Sequence, residues 1–205
     1  METPDPDLSH PAPEEPATVE ALASLAHPLR MRLLGLLRVF GPSTATRLAQ
    51  RCGISSGLAS YHLRHLAGGG LIALAPAPEG AHGREKWWAA TSRTTSTGTP
   101  ATDPEGQAVA AEFSRAALEQ HHANASRWVS LSHRWPREWV EASSFTDVAL
   151  QLTPQQMRAL GAELAQVIAG YPQHDPGAPP VPGAAVVTVQ SYLYPYPEQD
   201  APGPG

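Results

Sequence analysis

Along residues 17–67, leucines and alanines recur at the spacing of one helix face, in four segments separated by short polar or glycine breaks. The first two segments, ATVEALASLA and HPLRMRLLGLLRVFG, predict two helices, and Pro28 suits the first turn of the second. The apolar face of this second helix is predicted at Leu29, Leu33, Leu36 and Leu37. Gly41 and Pro42 then end it, because glycine tolerates the terminal turn and proline cannot continue a helix.

The next two segments lie within TATRLAQRCGISSGLASYHLRHL, residues 44–66. They predict one helix that ends near Cys52 and another that ends near Ala67, with Gly53 allowing a left-handed turn between them. The candidate N-caps are Ser43 or Thr44 for the first helix and Ser55 or Ser56 for the second. The predicted buried positions are Leu48 and Ala49, then Leu58, Ala59, Leu63 and Leu66. Two helices joined so closely around a glycine form a helix-turn-helix unit.

An alternating pattern follows the glycine run 68–70. LIALAP and REKWWAAT predict two strands, and APEGAHG predicts the loop of a hairpin. Arg84, Lys86 and Trp88 are predicted on one face of the second strand, and Glu85, Trp87 and Ala89 on the other. A hairpin directly behind a helix-turn-helix is the arrangement of a winged helix, which we place at residues 17–95.

The second half of the chain begins with a polar linker at residues 96–103, followed by a long helical pattern from about Pro104 to Arg134. Within this pattern a seam repeats every three or four residues, the spacing of a contact between packed helices. The predicted dimer interface on this seam is Leu118, His121, Ala125, Trp128 and Trp135. Because a seam with two tryptophans is too large to leave in water, we expect a second helix to cover it.

The remaining pattern predicts a small α/β extension, so that residues 104–195 form a dimerisation helix and an α/β region. SFTDVALQL and AAVVTVQSYLY alternate like strands, and TPQQMRALGAELAQVIAGY predicts the helix between them, capped by Thr153. The inner positions of that helix are predicted at Leu160, Leu164, Val167 and Ile168. The predicted fold class is therefore mainly α with small β: a winged helix-turn-helix followed by these C-terminal elements.

Composition adds two points. The 22 Pro and 17 Gly favour disordered tails at residues 1–16 and 196–205, and one cysteine excludes a disulfide framework. The net charge of -5 conceals a basic block, because residues 27–93 carry nine Lys or Arg against two Glu, a net of +7. Such a block inside an acidic protein favours a polyanionic partner, and the alternative is a solvated basic face.

The second helix of the helix-turn-helix carries side chains suited to duplex DNA, since a major groove about 12 Å wide admits one helix. Arg64 can donate twice to a guanine edge or contact a phosphate, and hydroxyls bond bases or phosphates. A glycine permits close approach of the backbone, and basic residues on the hairpin reach neighbouring phosphates. The predicted DNA-binding residues are Ser56, Gly57, Ser60, Tyr61, Arg64, Arg84 and Lys86.

HPLRMRLLGLL, LAQRCGISSGLASYHLRHLAGGGLI and REKWWA resemble the ArsR-type bacterial winged-helix regulators, over roughly residues 17–92. The resemblance implies a homodimer that binds a two-fold symmetric operator, with DNA contacts at the positions just given. The region after residue 100 resembles the longer, non-metal branch of that family. The paired cysteines of metal-sensing relatives are missing, and only His121, His122 and His133 near Glu119 remain for an intersubunit metal site.

Other interpretations differ in partner or chemistry. One alternative is a winged helix that binds protein, and another is an effector-sensing regulator whose apolar ligand sits among the tryptophans of the C-terminal region. We expect no enzyme activity and no cofactor, because no nucleophile elbow, zinc-protease motif or phosphate loop is present. The chain shows neither a signal peptide nor a membrane-length apolar run, so a cytoplasmic protein is expected. The effector, the operator, and the choice between repression and activation stay open.

Overall fold

The computed structural model describes residues 17–78, 85–95, 103–198 and 200. The predicted tail at 1–16, the hairpin loop with Arg84 and most of the predicted linker lie outside these ranges. The elements in chain order are α1 Val19–Leu25, α2 Pro28–Phe40, β1 Ser43–Thr44, α3 Ala45–Cys52, α4 Ser56–Gly68, β2 Ile72–Ala75, β3 Trp87–Ala90, α5 Pro104–Leu131, α6 Arg137–Ala142 and α7 Pro154–Ala169, with a 3-10 turn at Ser132–Arg134. The predicted fold class, mainly α with a small sheet in a winged helix-turn-helix, is confirmed.

The helix starts follow from their capping residues. Thr44 Oγ1 accepts a hydrogen bond from the N–H of Arg47 at 3.4 Å, and Ser55 Oγ accepts one from the N–H of Leu58 at 3.2 Å. Each cap satisfies a donor that a helix start leaves unpaired. Between the two helices Gly53 has φ +70°, the left-handed conformation that the turn requires. The predicted helix-turn-helix geometry is therefore confirmed at both helix starts and at the turn.

The core lies where α1, α2, α3 and α4 meet. Its fully buried side chains are Leu25, Leu33, Leu34, Leu37, Leu48, Leu63, Leu66 and Thr44. On α4 the predicted positions Ala59, Leu63 and Leu66 are buried, but the prediction for Leu58 is wrong, since its side chain is 42% exposed. Leu58 lies in the first turn of α4, where residues 55–58 are all exposed. On α2, Leu34 is buried where Leu36 is only partly so.

The sheet has three antiparallel strands in the order β1-β3-β2, with β3 in the centre. Ile72 pairs with Ala90 and Leu74 with Trp88, which confirms the predicted hairpin. The short strand β1 was not predicted; it pairs Thr44 with Trp87 and so ties the start of α3 to the hairpin. The hairpin is thereby fixed beside the helix-turn-helix.

Helix α5 returns to the N-terminal helices and packs against both α1 and α2. Ala116 is buried in this contact, and Phe113 packs against the core. Beyond Ala116 the helix carries exposed or half-buried side chains. The first half of α5 is therefore part of the N-terminal unit, and the second half presents its seam outward.

Residues 143–198, here called the C-terminal arm, differ from the prediction. The structure assigns no strand to residues 145–152 or 184–194, so the predicted strands are not formed within this chain. Helix α7 forms as predicted, with a capping box between Thr153 and Gln156, but it buries no residue. The prediction that Leu164, Val167 and Ile168 lie inside is wrong for the single chain. A strand needs a partner for its backbone N–H and C=O groups, and no described segment of this chain supplies one.

Candidate nucleic-acid interface

A cleft of about 320 Å³ lies between the start of α3, the outer face of α4 and the start of β3. Seven of its nine lining residues are polar or charged, which sets it apart from the leucine core behind it. The residues that line it are Thr44, Ala45, Thr46, Ser56, Ser60, Arg64, Glu85, Lys86 and Trp88. Four of the predicted DNA-binding residues therefore meet in one place: Ser56, Ser60, Arg64 and Lys86.

Helix α4 separates a buried face from an exposed one. Ala59, Leu63 and Leu66 hold it against the core, while Tyr61 and Arg64 remain exposed on its other side. Leucine burial of this kind contributes about 1.5–3 kcal/mol per side chain, so the outer face is held on a rigid support. The polar face of the helix is thus held toward solvent.

Gly57 is exposed in the first turn of α4, and a Cβ placed there would meet no atom within 4 Å. Packing among the described residues therefore does not require glycine at this position. Gly69, just after the same helix, is different: a Cβ there would lie 2.5 Å from Ser24 Oγ and 2.8 Å from Ser24 Cβ. Gly69 is required by the close approach of α1, whereas Gly57 leaves the outer surface of α4 open.

Arg64, one of the predicted DNA-binding residues, borders two depressions. Besides the cleft, it lines a shallower one of about 470 Å³ with Tyr61 and His65. In the described part of the chain Arg64 makes no hydrogen bond or ion pair. Its five N–H donors are therefore available to an external acceptor.

Several cations of the basic block are used inside the fold. The Arg38 guanidinium donates to the backbone oxygens of Ser92 and Thr94, and Arg32 donates to the carbonyl of Arg51. Other guanidinium groups stack on rings, with Arg47 4.8 Å from the Trp87 ring centre and Arg51 4.0 Å from that of Phe40. Arg32 and Arg38 are only partly exposed, whereas Arg47 and Arg51 stay exposed, so these contacts restrain the cations without burying the charge of the block.

Glu85 belongs to the cleft, although the strand alternation predicted it on the face opposite Lys86. Its carboxylate accepts a hydrogen bond from Thr46 Oγ1 at 2.8 Å. Because β3 begins only at Trp87, residues 85 and 86 precede the paired ladder and do not follow its alternation. An anion therefore lies among the donors of the cleft, and no sequence signal indicated it.

His62 lies on the inner side of α4 and is buried. Its ring lies 4.6 Å from that of His27, and in the described structure its Nδ1 has no hydrogen-bond partner. Burial lowers the pKa of His62, and nearby His27, Arg30 and His65 lower it further. The side chain is therefore held in its neutral form beneath the exposed face.

The predicted dimer seam lies on the second half of α5, except for Trp135, which directly follows the 3-10 turn. Leu118 and Trp135 are exposed, and the other predicted positions His121, Ala125 and Trp128 are half-buried. Trp135 makes edge contacts with Trp128, at 5.4 Å between ring centres, and with Trp139 at 5.8 Å. Within this aromatic row Trp135 is 40% exposed, whereas Trp128 and Trp139 are half-buried.

Metal and thiol chemistry have little support in the described residues, which contain no group of three or more His, Cys, Asp or Glu placed to hold a metal ion. The His121 ring is hydrogen-bonded to the hydroxyl of Tyr192, and burial lowers its pKa. Cys52 is half-buried, and burial raises the pKa of its thiol despite the opposing fields of Arg32 and Arg127. A raised thiol pKa disfavours the reactive thiolate.

Residues 25–75 match the family model described as a helix-turn-helix domain. The chain carries a helix-turn-helix DNA-binding domain. The match extends from the end of α1 to β2 and includes α3 and α4, the two helices that border the cleft. No curated protein matches the chain. None of the described helices is both long and apolar enough to cross a membrane.

Proposed function

We propose that the chain is a transcriptional regulator of the ArsR type that acts as a homodimer on a two-fold symmetric operator. Residues 17–95 form its DNA-binding domain, and residues 104–195 form its dimerisation region. One α4 from each subunit enters a major groove, and the two grooves lie one helical turn apart. A dimer bound to the operator excludes other proteins from the same DNA, and repression is therefore the proposed outcome.

The single observation that carries this proposal is the exposed guanidinium of Arg64, which has no partner in the described structure and lies on the outer face of α4 in the polar cleft. Ser56, Ser60 and Tyr61 lie on the same helix and supply hydroxyl donors and acceptors. Gly57 leaves room at the helix start, where unpaired backbone N–H groups favour a phosphate. We propose that this helix determines which DNA sequence is bound.

Lys86 directly precedes β3, at the loop end of the hairpin, and is exposed beside the cleft. Together with Arg84 it is proposed to contact phosphates next to the groove that α4 enters. Phosphate contacts give affinity and position without reading the sequence. Changing Lys86 is therefore expected to weaken binding to all duplexes alike.

Selection of bound sequences from random duplex DNA tests the proposal. The expected product is a palindrome whose half-sites are about 10 base pairs apart. Binding to the selected duplex should weaken steeply with salt, with a slope in log–log form of about -0.9 for each phosphate contacted. Failure to enrich any sequence, together with binding that does not respond to salt, would favour the alternative of a protein-interaction module.

The row of Trp128, Trp135 and Trp139 favours a second candidate, a regulator that senses an apolar effector between its C-terminal helices. The rings are in contact and remain partly open. Repeating the selection with metals and candidate metabolites tests this version. A compound that changes operator affinity and also shifts tryptophan fluorescence would support it.

A further inference from the structure

The C-terminal arm has the composition of a protein core and lacks the burial of one. Sixteen large apolar side chains of the arm are exposed, and none of its described residues is buried. At roughly 60–100 Å² each, these side chains present on the order of 1,000 Å² or more, against the ~800 Å² that each partner contributes to a standard protein interface. The exposed area is therefore large enough for a stable association.

The pattern within the arm is that of strand, helix, strand. Val148, Leu150 and Leu152 alternate with polar or small residues before α7, and Val187 and Val189 alternate with polar residues after it. β-Branched residues in alternation fit a half-buried sheet. Both segments remain unpaired in the described chain, so their backbone N–H and C=O groups lack the ladder partners that such a pattern requires. Most of their large apolar side chains are exposed as well.

We propose that a second copy of this chain supplies the missing partner: segments 145–152 and 184–194 pair with those of the other subunit in one intersubunit sheet, which the two α7 helices cover. The inference rests on the homodimer in the proposed function, and it adds a second contact to the α5 seam. The shared sheet would explain why each arm is patterned like half of a core. Obligate homodimer interfaces resemble a domain core cut in half.

The low content of charged residues in the arm favours a second copy of this chain over a charged molecule as its partner. The 56 residues of the arm contain five charged ones, whereas charged residues make up 16% of the whole chain. Depletion of charge is typical of interface cores, and it disfavours nucleic acid or a strongly basic or acidic protein as the occupant.

Position also supports a second copy. Tyr192, in the second strand-patterned segment, is hydrogen-bonded to His121 on the exposed half of α5. The arm and the α5 seam therefore lie side by side and form a continuous surface. A second copy that covers the seam would meet the arm as well, and a two-fold axis presents the same surface on both subunits.

The test compares two variants of the full chain, Val187→Asp and Val181→Asp. The two valines are matched, since they are 67% and 69% exposed, but only Val187 lies in a strand-patterned segment. Sedimentation velocity over a range of concentrations measures the dimer dissociation constant. We expect Val187→Asp to raise it at least 10-fold and Val181→Asp to leave it within 3-fold of the parent.

Amide hydrogen exchange gives the second readout. Residues 145–152 and 184–194 should be protected in the concentrated parent protein and lose that protection on dilution, while α2 and α4 stay protected at both concentrations. Protection of α2 and α4 in Val187→Asp shows that the variant is folded.

A parent protein that is monomeric at all concentrations, equal dimerisation of both variants, or equal loss in both would overturn the proposal. Protection of the arm that is independent of concentration would also overturn it. DNA selection reports separately on the proposed function: a dimer with a protected arm that binds no DNA preserves the shared sheet and removes the regulator. Operator binding by a Val187→Asp variant that stays fully dimeric preserves the regulator and removes the shared sheet.

Discussion

Arg64→Ala is the most direct test of the cleft. The side chain is exposed and makes no contact in the described structure that holds the fold, so the free energy of unfolding should change by less than about 0.5 kcal/mol. Loss of a bidentate contact to guanine costs about 1–3 kcal/mol per half-site, which is roughly 5- to 150-fold in Kd. The effect should therefore appear in binding and not in stability.

The kind of contact determines which quantity changes. If Arg64 reads a base, the preference for the selected duplex over a scrambled one should fall, with little change in salt dependence. If it contacts a phosphate, both duplexes weaken together and the log–log salt slope becomes shallower by about 0.9 per half-site. We expect the first result, because Arg64 lies on the outer face of the helix assigned to the groove.

Fluorescence anisotropy with the selected and scrambled duplexes, at several salt concentrations, measures both quantities. Arg158→Ala is the matched control, since it removes the same charge from an exposed position on α7. An Arg64→Ala protein that is folded and keeps the parent's ratio of affinities for the two duplexes would refute the assignment. An equal loss of DNA affinity in Arg158→Ala would show that binding depends only on the net charge of the protein.

Three further predictions concern α4 and the cleft beside it. Gly57→Ala should raise the free energy of unfolding by up to about 1 kcal/mol, because the added Cβ meets no described atom, yet it should weaken operator binding. Gly69→Ala should lower the free energy of unfolding by about 1–3 kcal/mol, because the added Cβ clashes with Ser24. Urea unfolding measures the change in stability, and fluorescence anisotropy measures the change in binding. Glu85→Gln removes an anion from the cleft and should tighten DNA binding several-fold at low salt, and an unchanged affinity would place Glu85 away from the DNA. Because the pKa of His62 is lowered in the folded state, the unfolded chain binds the proton more readily and stability should fall as pH drops below about 6.5. His62→Leu should flatten that part of the curve in urea titrations, and an unaltered curve would assign the effect to another group.

The sequence by itself determined the local elements of this protein. Periodic leucines, hydroxyl caps and the glycine between α3 and α4 act within one or two turns, so the helices and the turn could be predicted from neighbouring residues alone. The outer face of α4 followed for the same reason, because fixing Ala59, Leu63 and Leu66 inside leaves Tyr61 and Arg64 outside.

Tertiary structure decided what depends on contacts between distant segments. Thr44 pairs with Trp87 and Thr46 bonds to Glu85, and neither meeting has a local signal in the sequence. The arm gives the clearest case: its alternating valines indicate a strand, but a strand forms only where another backbone completes its hydrogen bonds. Residues 145–152 and 184–194 find none in the described chain, so their pattern describes a surface that needs a partner.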